Sequence, residues 1–317
     1  MRKLIWGFVI VIALLWATTW HPATGQWVYD RTQTLEAWAY GFDKQQVALG
    51  DMTMSIYQRR SSDEAAPTLV LLHGYTASKE LWLRFGAALG DSYRLVIPDL
   101  AGHGETGFDP QWSYRPQAQA ERIKRLLDVL QVEQAVVAGN SMGGLIAANF
   151  ALAYPERSAG LVVIDPAGVT APVASRAEKL FRQGQSPFEI ESWQDFQEFY
   201  AMTMAEPPYV PTFVLKGMAA RYQEHKAEYI QIAEDFRNFD QLDNRLAAIS
   251  VPTFIIWGGA DQLLDVSSAA VWHAQVPNNE LLLMEGVGHM PMVERPQQTA
   301  AAVRDFVESL PAQQTEL

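Results

Sequence analysis

Cysteine is absent from the chain. Its absence excludes a disulfide framework, a thiolate metal site and a cysteine nucleophile. It leaves the compartment open, because a thiol-free chain tolerates oxidising and reducing surroundings alike. Basic residues are scarce: 24 Lys and Arg stand against 36 Asp and Glu, a formal net charge of -12. Such a surface repels phosphate backbones, so nucleic acid is excluded as a partner, and anionic headgroups offer it little attraction. The six His are scattered with no HExxH or comparable ligand spacing, and neither a metal nor another cofactor is expected. Repeats and low-complexity stretches are missing too. With 49% hydrophobic and 11% aromatic residues over 317 positions, the chain can bury a core. The length suits one large α/β domain with an insertion, or two small domains.

Arg2 and Lys3 precede a charge-free apolar run over 4–20. As a helix this run spans roughly 25 Å, the short end of what crosses a bilayer core of about 30 Å. It is slightly long for the core of a signal peptide, although Ala23-Thr24-Gly25 is a weak cleavage pattern. Trp16, Trp20, Trp27 and Tyr29 cluster where an interfacial aromatic belt would lie. Segment 1–28 is therefore expected to be a membrane anchor, with the remainder on the non-cytoplasmic (periplasmic) side. The alternative is a signal segment removed on secretion. Over 30–42, Leu35, Trp38, Ala39 and Phe42 fall on one helical face, which would pack on the domain or lie in the membrane interface.

Strands are predicted at 47–58, 68–73, 93–98, 135–138, 161–165, 252–257 and 280–284, and helices at 117–130, 141–154 and 297–310. Strand and helix alternate, which argues a mostly parallel sheet covered by helices. The alternation stops over about 171–245, where the signals are helical only. There Ser192 and Asp195 form a candidate capping box, and a proline-rich stretch from Glu206 to Pro211 breaks the helix that follows it. The expected organisation is a core over 29–170 and 249–317, interrupted by a helical cap over 171–248.

Gly139-Asn140-Ser141-Met142-Gly143 has the G-x-S-x-G pattern between a buried strand and a helix. A serine on so sharp a turn leaves no room for side chains two residues to either side, which accounts for Gly139 and Gly143. The helix N-terminus behind it favours developing negative charge. A serine hydroxyl needs a base. Downstream lie His225, His273 and His289. The first two fall in helical stretches, whereas His289 occupies a tight loop after the last strand, where a base can reach across to the serine. The acid should follow strand 252–257. Asp261 fits, with Asp265 its main rival and Asp165 a weaker one. The backbone N–H groups of Met142 and Tyr75 are the candidate oxyanion donors. His73 is read as shaping the Tyr75 loop, and Asp99 and His103 as turn residues.

These residues resemble the α/β-hydrolase superfamily over almost all of the chain after the anchor. The resemblance rests on His73-Gly74, the stretch from Pro98 to Gly104, Gly139 to Gly144, Asp261 and Gly288-His289. Within it the sequence is similar to bacterial cold-active lipases and membrane-anchored monoacylglycerol lipases. That likeness is carried by the stretches from His73 to Glu80, Ile164 to Gly168, Glu206 to Pro211, Ile256 to Gln262 and Gly288 to Glu294. The resemblance implies a mostly parallel central sheet with an inserted helical cap and a Ser-His-Asp triad. It further implies a lipid ester substrate, an acylglycerol, met at a membrane surface; it assigns no oligomeric state. The stretch from Gly139 to Gly144 is shared with carbon–carbon bond hydrolases of ring-cleavage products, which supply the alternative function. A non-catalytic binding protein on the same fold is a third.

Overall fold

The structure, a computed structural model, describes residues 21–63, 65–237 and 241–311. Eight strands form one sheet: β1 Asp43–Ala48, β2 Thr53–Arg59, β3 Thr68–Leu72, β4 Arg94–Pro98, β5 Ala135–Asn140, β6 Ser158–Ile164, β7 Thr253–Gly258 and β8 Asn279–Met284. Their order across the sheet is β1-β2-β4-β3-β5-β6-β7-β8. β1 and β2 pair antiparallel, β2 runs antiparallel to β4, and every later pairing is parallel. The single strand expected over 47–58 is thus a hairpin. Leu49 N–H bonds Met52 O across the turn, and Gly50 takes φ 92°. A Gly-Asp turn inside a mostly apolar run was the signal for it.

The parallel strands read as unbroken apolar runs because both faces of the sheet are covered. Alternate residues face opposite layers. Val70, Leu72, Val96 and Val137 join one buried cluster with α3 Pro116–Val129 and α4 Met142–Ala153. Leu69, Leu71, Leu95 and Val136 join the other, with α2 Leu83–Leu89 and α11 Pro296–Ser309.

Between β6 and β7 lie α5 Arg176–Arg182, α6 Trp193–Thr203, α7 Thr212–Glu224 and α8 Lys226–Arg237, with no strand among the described residues. The capping box at the start of α6 is formed: Asp195 N–H bonds Ser192 Oγ at 3.2 Å, and Ser192 N–H bonds the Asp195 carboxylate at 2.8 Å. Ile190, Phe196, Phe199 and Ala219 give this layer a small core of its own. The remaining helices are α9 Ser267–Gln275 and α10 Pro291–Glu294.

α1 Pro22–Ala39 crosses α7. The two backbones nearly touch, and a Cβ on Gly25 would collide with Phe213 O. Asp30 pairs with Arg221 at 2.8 Å, and Gln26 donates to Glu224. This close approach selects glycine on both helices, Gly25 and Gly217, while Ala37, near the other end of α1, is buried in the cluster that holds Phe42 and Tyr57. The apolar face, expected either to pack on the domain or to lie in a membrane interface, does not pack on the domain at Leu35 and Trp38. Leu35 and Trp38 point outward, 63% and 78% exposed, in line with Trp27 at 60%, while Phe42 is buried beyond the helix end. The expected boundary at residue 28 falls within α1. The apolar run over 4–20 lies outside the described residues. Among those described, no helix is long and apolar enough to cross a membrane.

Candidate active site

The sharpest feature of the backbone is the turn from β5 into α4. Ser141 sits there at φ 56°, ψ -119°, a region a non-glycine residue occupies at a cost of about 1–3 kcal/mol. A Cβ on Gly139 would collide with Gly143 O, and one on Gly143 with Leu72 O, so both glycines are required by contact. Ser141 N–H bonds Ile164 O at 3.0 Å, tying the turn to β6. The Asn140 amide donates to Ile164 O at 3.1 Å and to His289 O at 3.0 Å. Asn140 thus links the serine turn to the histidine loop, a role its place in the motif did not reveal.

That loop follows β8 and abuts the loop after β7: a Cβ on Gly258 would meet Gly288 O. His289 is buried, and its Nδ1 lies 2.6 Å from Asp261 Oδ2. The other Asp261 oxygen accepts from Leu263 N–H at 2.7 Å and Leu264 N–H at 3.0 Å. Asp265 instead accepts from Ser267 N–H at 2.9 Å, at the start of α9. His225 pairs with Glu228 at a half-buried position and His273 with Asn279 at an exposed one. The histidine loop is fixed to the end of α6 and the segment after it. His289 N–H reaches Thr203 O at 3.1 Å, and buried Glu294 accepts from Gly288 N–H at 2.8 Å and from Glu206 N–H at 2.7 Å.

Asp165, Asp261 and His289 bring potential ligand atoms within 4.8 Å of one another. The 2.6 Å separation of His289 Nδ1 from Asp261 Oδ2 is that of a hydrogen bond, shorter than the spacing of about 3.4 Å that two ligands of a tetrahedral zinc keep at about 2.0–2.2 Å from the metal.

The loop after β3 runs beside the serine; a Cβ on Gly74 would stand 3.2 Å from Ser141 Cβ. His73 braces it from below, its Nε2 accepting from Leu100 N–H at 3.0 Å and its Nδ1 donating to Gly74 O at 2.8 Å. Burial brings the imidazole of His73 down to about 4, and that of neighbouring His103 to about 3, so both rings are neutral struts. Lys79, wholly buried, reaches Asp99 at 2.6 Å and Glu105 at 3.1 Å. Burial works against its charge, but Asp99, Glu80 and Glu105 outweigh that and hold it protonated. Sequence reasoning gave Asp99 a turn role and missed this pair, since nothing local marks a lysine for burial. Above the loop, Tyr75 OH donates to Tyr229 O at 2.6 Å, and the Thr76 hydroxyl meets Tyr222 OH. Met142, the first residue of α4, is buried beside Ser141.

Ser141 and His289 open into a cavity of about 290 Å³ lined by Phe188, Phe199, Met218 and Val293, with Tyr29, Glu36 and Arg84 also on its wall. A second cavity of about 190 Å³ shares Ser141, Tyr75 and Phe188, and reaches Phe181, Ile230 and Phe236 on α5 and α8.

A family model for the alpha/beta hydrolase fold matches residues 67–296. Lipase 1 of Psychrobacter immobilis is 31% identical over 252 residues, 78% of this chain and 79% of the relative. The human monoacylglycerol lipase ABHD6 is 27% identical over 267 residues, 80% and 79% of the two chains. Among solved structures, a membrane phospholipase A, a bacterial virulence factor, superposes with a TM-score of 0.86 at 32% identity, covering 97% of this chain and 98% of its own.

Proposed function

Because this chain belongs to the α/β-hydrolase family and is a hydrolase, we propose that it cleaves lipid esters through an acyl-enzyme on Ser141, with monoacylglycerols as preferred substrates. The reading rests on one observation. A strained serine turn opens, together with a His289 ring bonded to Asp261, into a largely apolar cavity. Ser141 Oγ attacks the ester carbonyl. His289, fixed by Asp261 in the tautomer with its proton on Nδ1, accepts the serine proton at Nε2 and returns it to the leaving alcohol. The N–H groups of Met142 and Tyr75 take the developing oxyanion, a donor pair of which each member is worth about 3 kcal/mol of barrier. Water then attacks the acyl-enzyme by the same route. The scheme uses no cofactor. The core is 29–170 with 249–317, and 171–248 is the cap.

Phe188, Phe199 and Met218 suit an acyl chain, each buried methylene of which is worth about 0.8 kcal/mol. A cavity walled on one side by cap residues such as Phe188 and Phe199 admits one chain more readily than three. A carbon–carbon hydrolase grips a substrate carboxylate. Here the two arginines lining the larger cavity are already paired, Arg84 with Glu36 at 2.6 Å and Arg221 with Asp30 at 2.8 Å, which favours the ester reading. The run over 4–20 anchors the protein in the membrane, with the catalytic domain on the periplasmic side. The exposed Trp27, Leu35 and Trp38 stripe of α1 supports this, since it suits the interfacial zone. A kcat/KM series at fixed detergent tests the substrate: values should rise with acyl length, and monoolein should exceed triolein. Faster turnover of triolein, or a preference for acetate over decanoate esters, would overturn it.

A further inference from the structure

One buried group beside the proposed triad has no part in that scheme. Asp165 follows β6, with its N–H on Ile256 O at 2.9 Å. Its φ of 44° is left-handed, a conformation that Asp tolerates better than most residues yet still at a cost. The side chain is wholly buried. One oxygen, Oδ1, accepts from Gly258 N–H at 2.8 Å. The other, Oδ2, is buried and meets no hydrogen-bond donor. Asp261 and His289 present atoms within 4.8 Å of the Asp165 carboxyl, and Glu294 is the next acid nearby.

Two carboxylates so close, away from water, cannot both hold a charge. Hydrogen-bond donors decide which one keeps it. Asp261 is satisfied on both oxygens, by Leu263 N–H and Leu264 N–H on one and by His289 on the other. Glu294 is likewise satisfied by Gly288 N–H and Glu206 N–H. Asp165 has a single donor. Burial, and then the charge of Asp261, push its carboxyl well above the ordinary carboxylate range.

We propose that Asp165 is a positioning residue of the triad: it stays a neutral carboxylic acid, and the hydroxyl on its otherwise unpartnered Oδ2 donates to the Asp261 carboxylate. The proposal rests on the reading of Ser141, His289 and Asp261 given above. It accounts for the orphan oxygen, which becomes a donor once protonated. It also accounts for an aspartate at a backbone position that glycine or asparagine would occupy with less strain. Asp261 is then held from the β7 turn on one side and from the end of β6 on the other, and His289 inherits that rigidity.

Three measurements test it on the purified full-length protein. Infrared difference spectra of wild type against Asp165→Asn at pH 8 should show a protonated carboxylic acid carbonyl band in the wild type alone. Asp165→Asn should keep kcat for p-nitrophenyl decanoate within about threefold, because the carboxamide still accepts from Gly258 and donates to Asp261. Asp165→Ala should lose about a hundredfold in kcat, the scale of a roughly 1 Å misplacement, with KM little changed. Absence of the infrared band would overturn the proposal, as would an Asn variant as crippled as Asp261→Asn, since Asp165 would then carry charge. An Ala variant with wild-type kcat would remove the positioning role. If the Ala variant does not fold, the infrared band and the Asn variant still decide. A wild type without Ser141-dependent esterase activity would instead count against the ester hydrolase reading, and the infrared band would still report on Asp165.

Discussion

Asp261 and Asp265 stand four positions apart on the turn after β7, yet their surroundings assign them different work. Asp261 is buried against His289; Asp265 accepts from Ser267 N–H and starts a helix. Asp261→Asn should therefore lower kcat steeply, approaching the roughly 10⁴-fold loss that a wrong imidazole tautomer brings, while Asp265→Asn costs little beyond some stability. Steady-state kinetics on both purified variants checks this, and a crippled Asp265→Asn with an active Asp261→Asn would reverse the assignment. The sequence favoured Asp261 but kept Asp265 as a rival, because either lies in a strand-end turn and only the direction of the side chain separates them. Ser141 was legible for the opposite reason: Gly139 and Gly143 answer backbone contacts that any such turn must make. Asn140 and Glu294 were not legible. Their partners, His289 O and Glu206 N–H, lie far along the chain.

Loops at strand ends carry the site, and buried polar groups hold them in place. His73 and His103 brace the loop after β3, their rings in edge contact with centroids 5.2 Å apart. In the unfolded chain both titrate near about 6.5; in the folded protein burial depresses them to about 4 and about 3. Between those values the unfolded chain binds more protons. Their contribution to stability is thus complete above about pH 6.5 and is lost progressively as the pH falls toward the folded values. At pH 5 the loss is about 2 kcal/mol per ring. Urea midpoints measured at pH 7.5 and pH 5.0 should fall clearly for the wild type and less for His103→Gln; an equal fall in both would contradict this role for His103. Elements were legible where both sheet faces are covered, since unbroken apolar runs bounded by turns mark such strands. The β1–β2 hairpin and the inner face of α1 were hidden, the first by apolar residues flanking its turn, the second because its contact with α7 is made at Gly25 and Gly217, which carry no apolar signal.

Across the whole molecule, α1 joins the proposed anchor to the site. Its outer stripe is bare, while Tyr29 and Glu36 on other positions of the same helix line the larger cavity. The net charge of -12 gives anionic lipid little hold, so attachment should come from the apolar segment. Deleting residues 1–20 and keeping α1 intact should release the protein from membranes with its esterase activity retained, as judged by fractionation and p-nitrophenyl decanoate turnover. Undeleted protein recovered in the soluble fraction would refute the anchor. The central claim concerns Ser141, and covalent labelling tests it most directly. After treatment with a fluorophosphonate, intact-mass spectrometry should find one adduct on the wild type and none on a folded Ser141→Ala variant, which should also fail to hydrolyse monoolein. A folded Ser141→Ala protein that still takes the label and still turns over the ester would contradict the account.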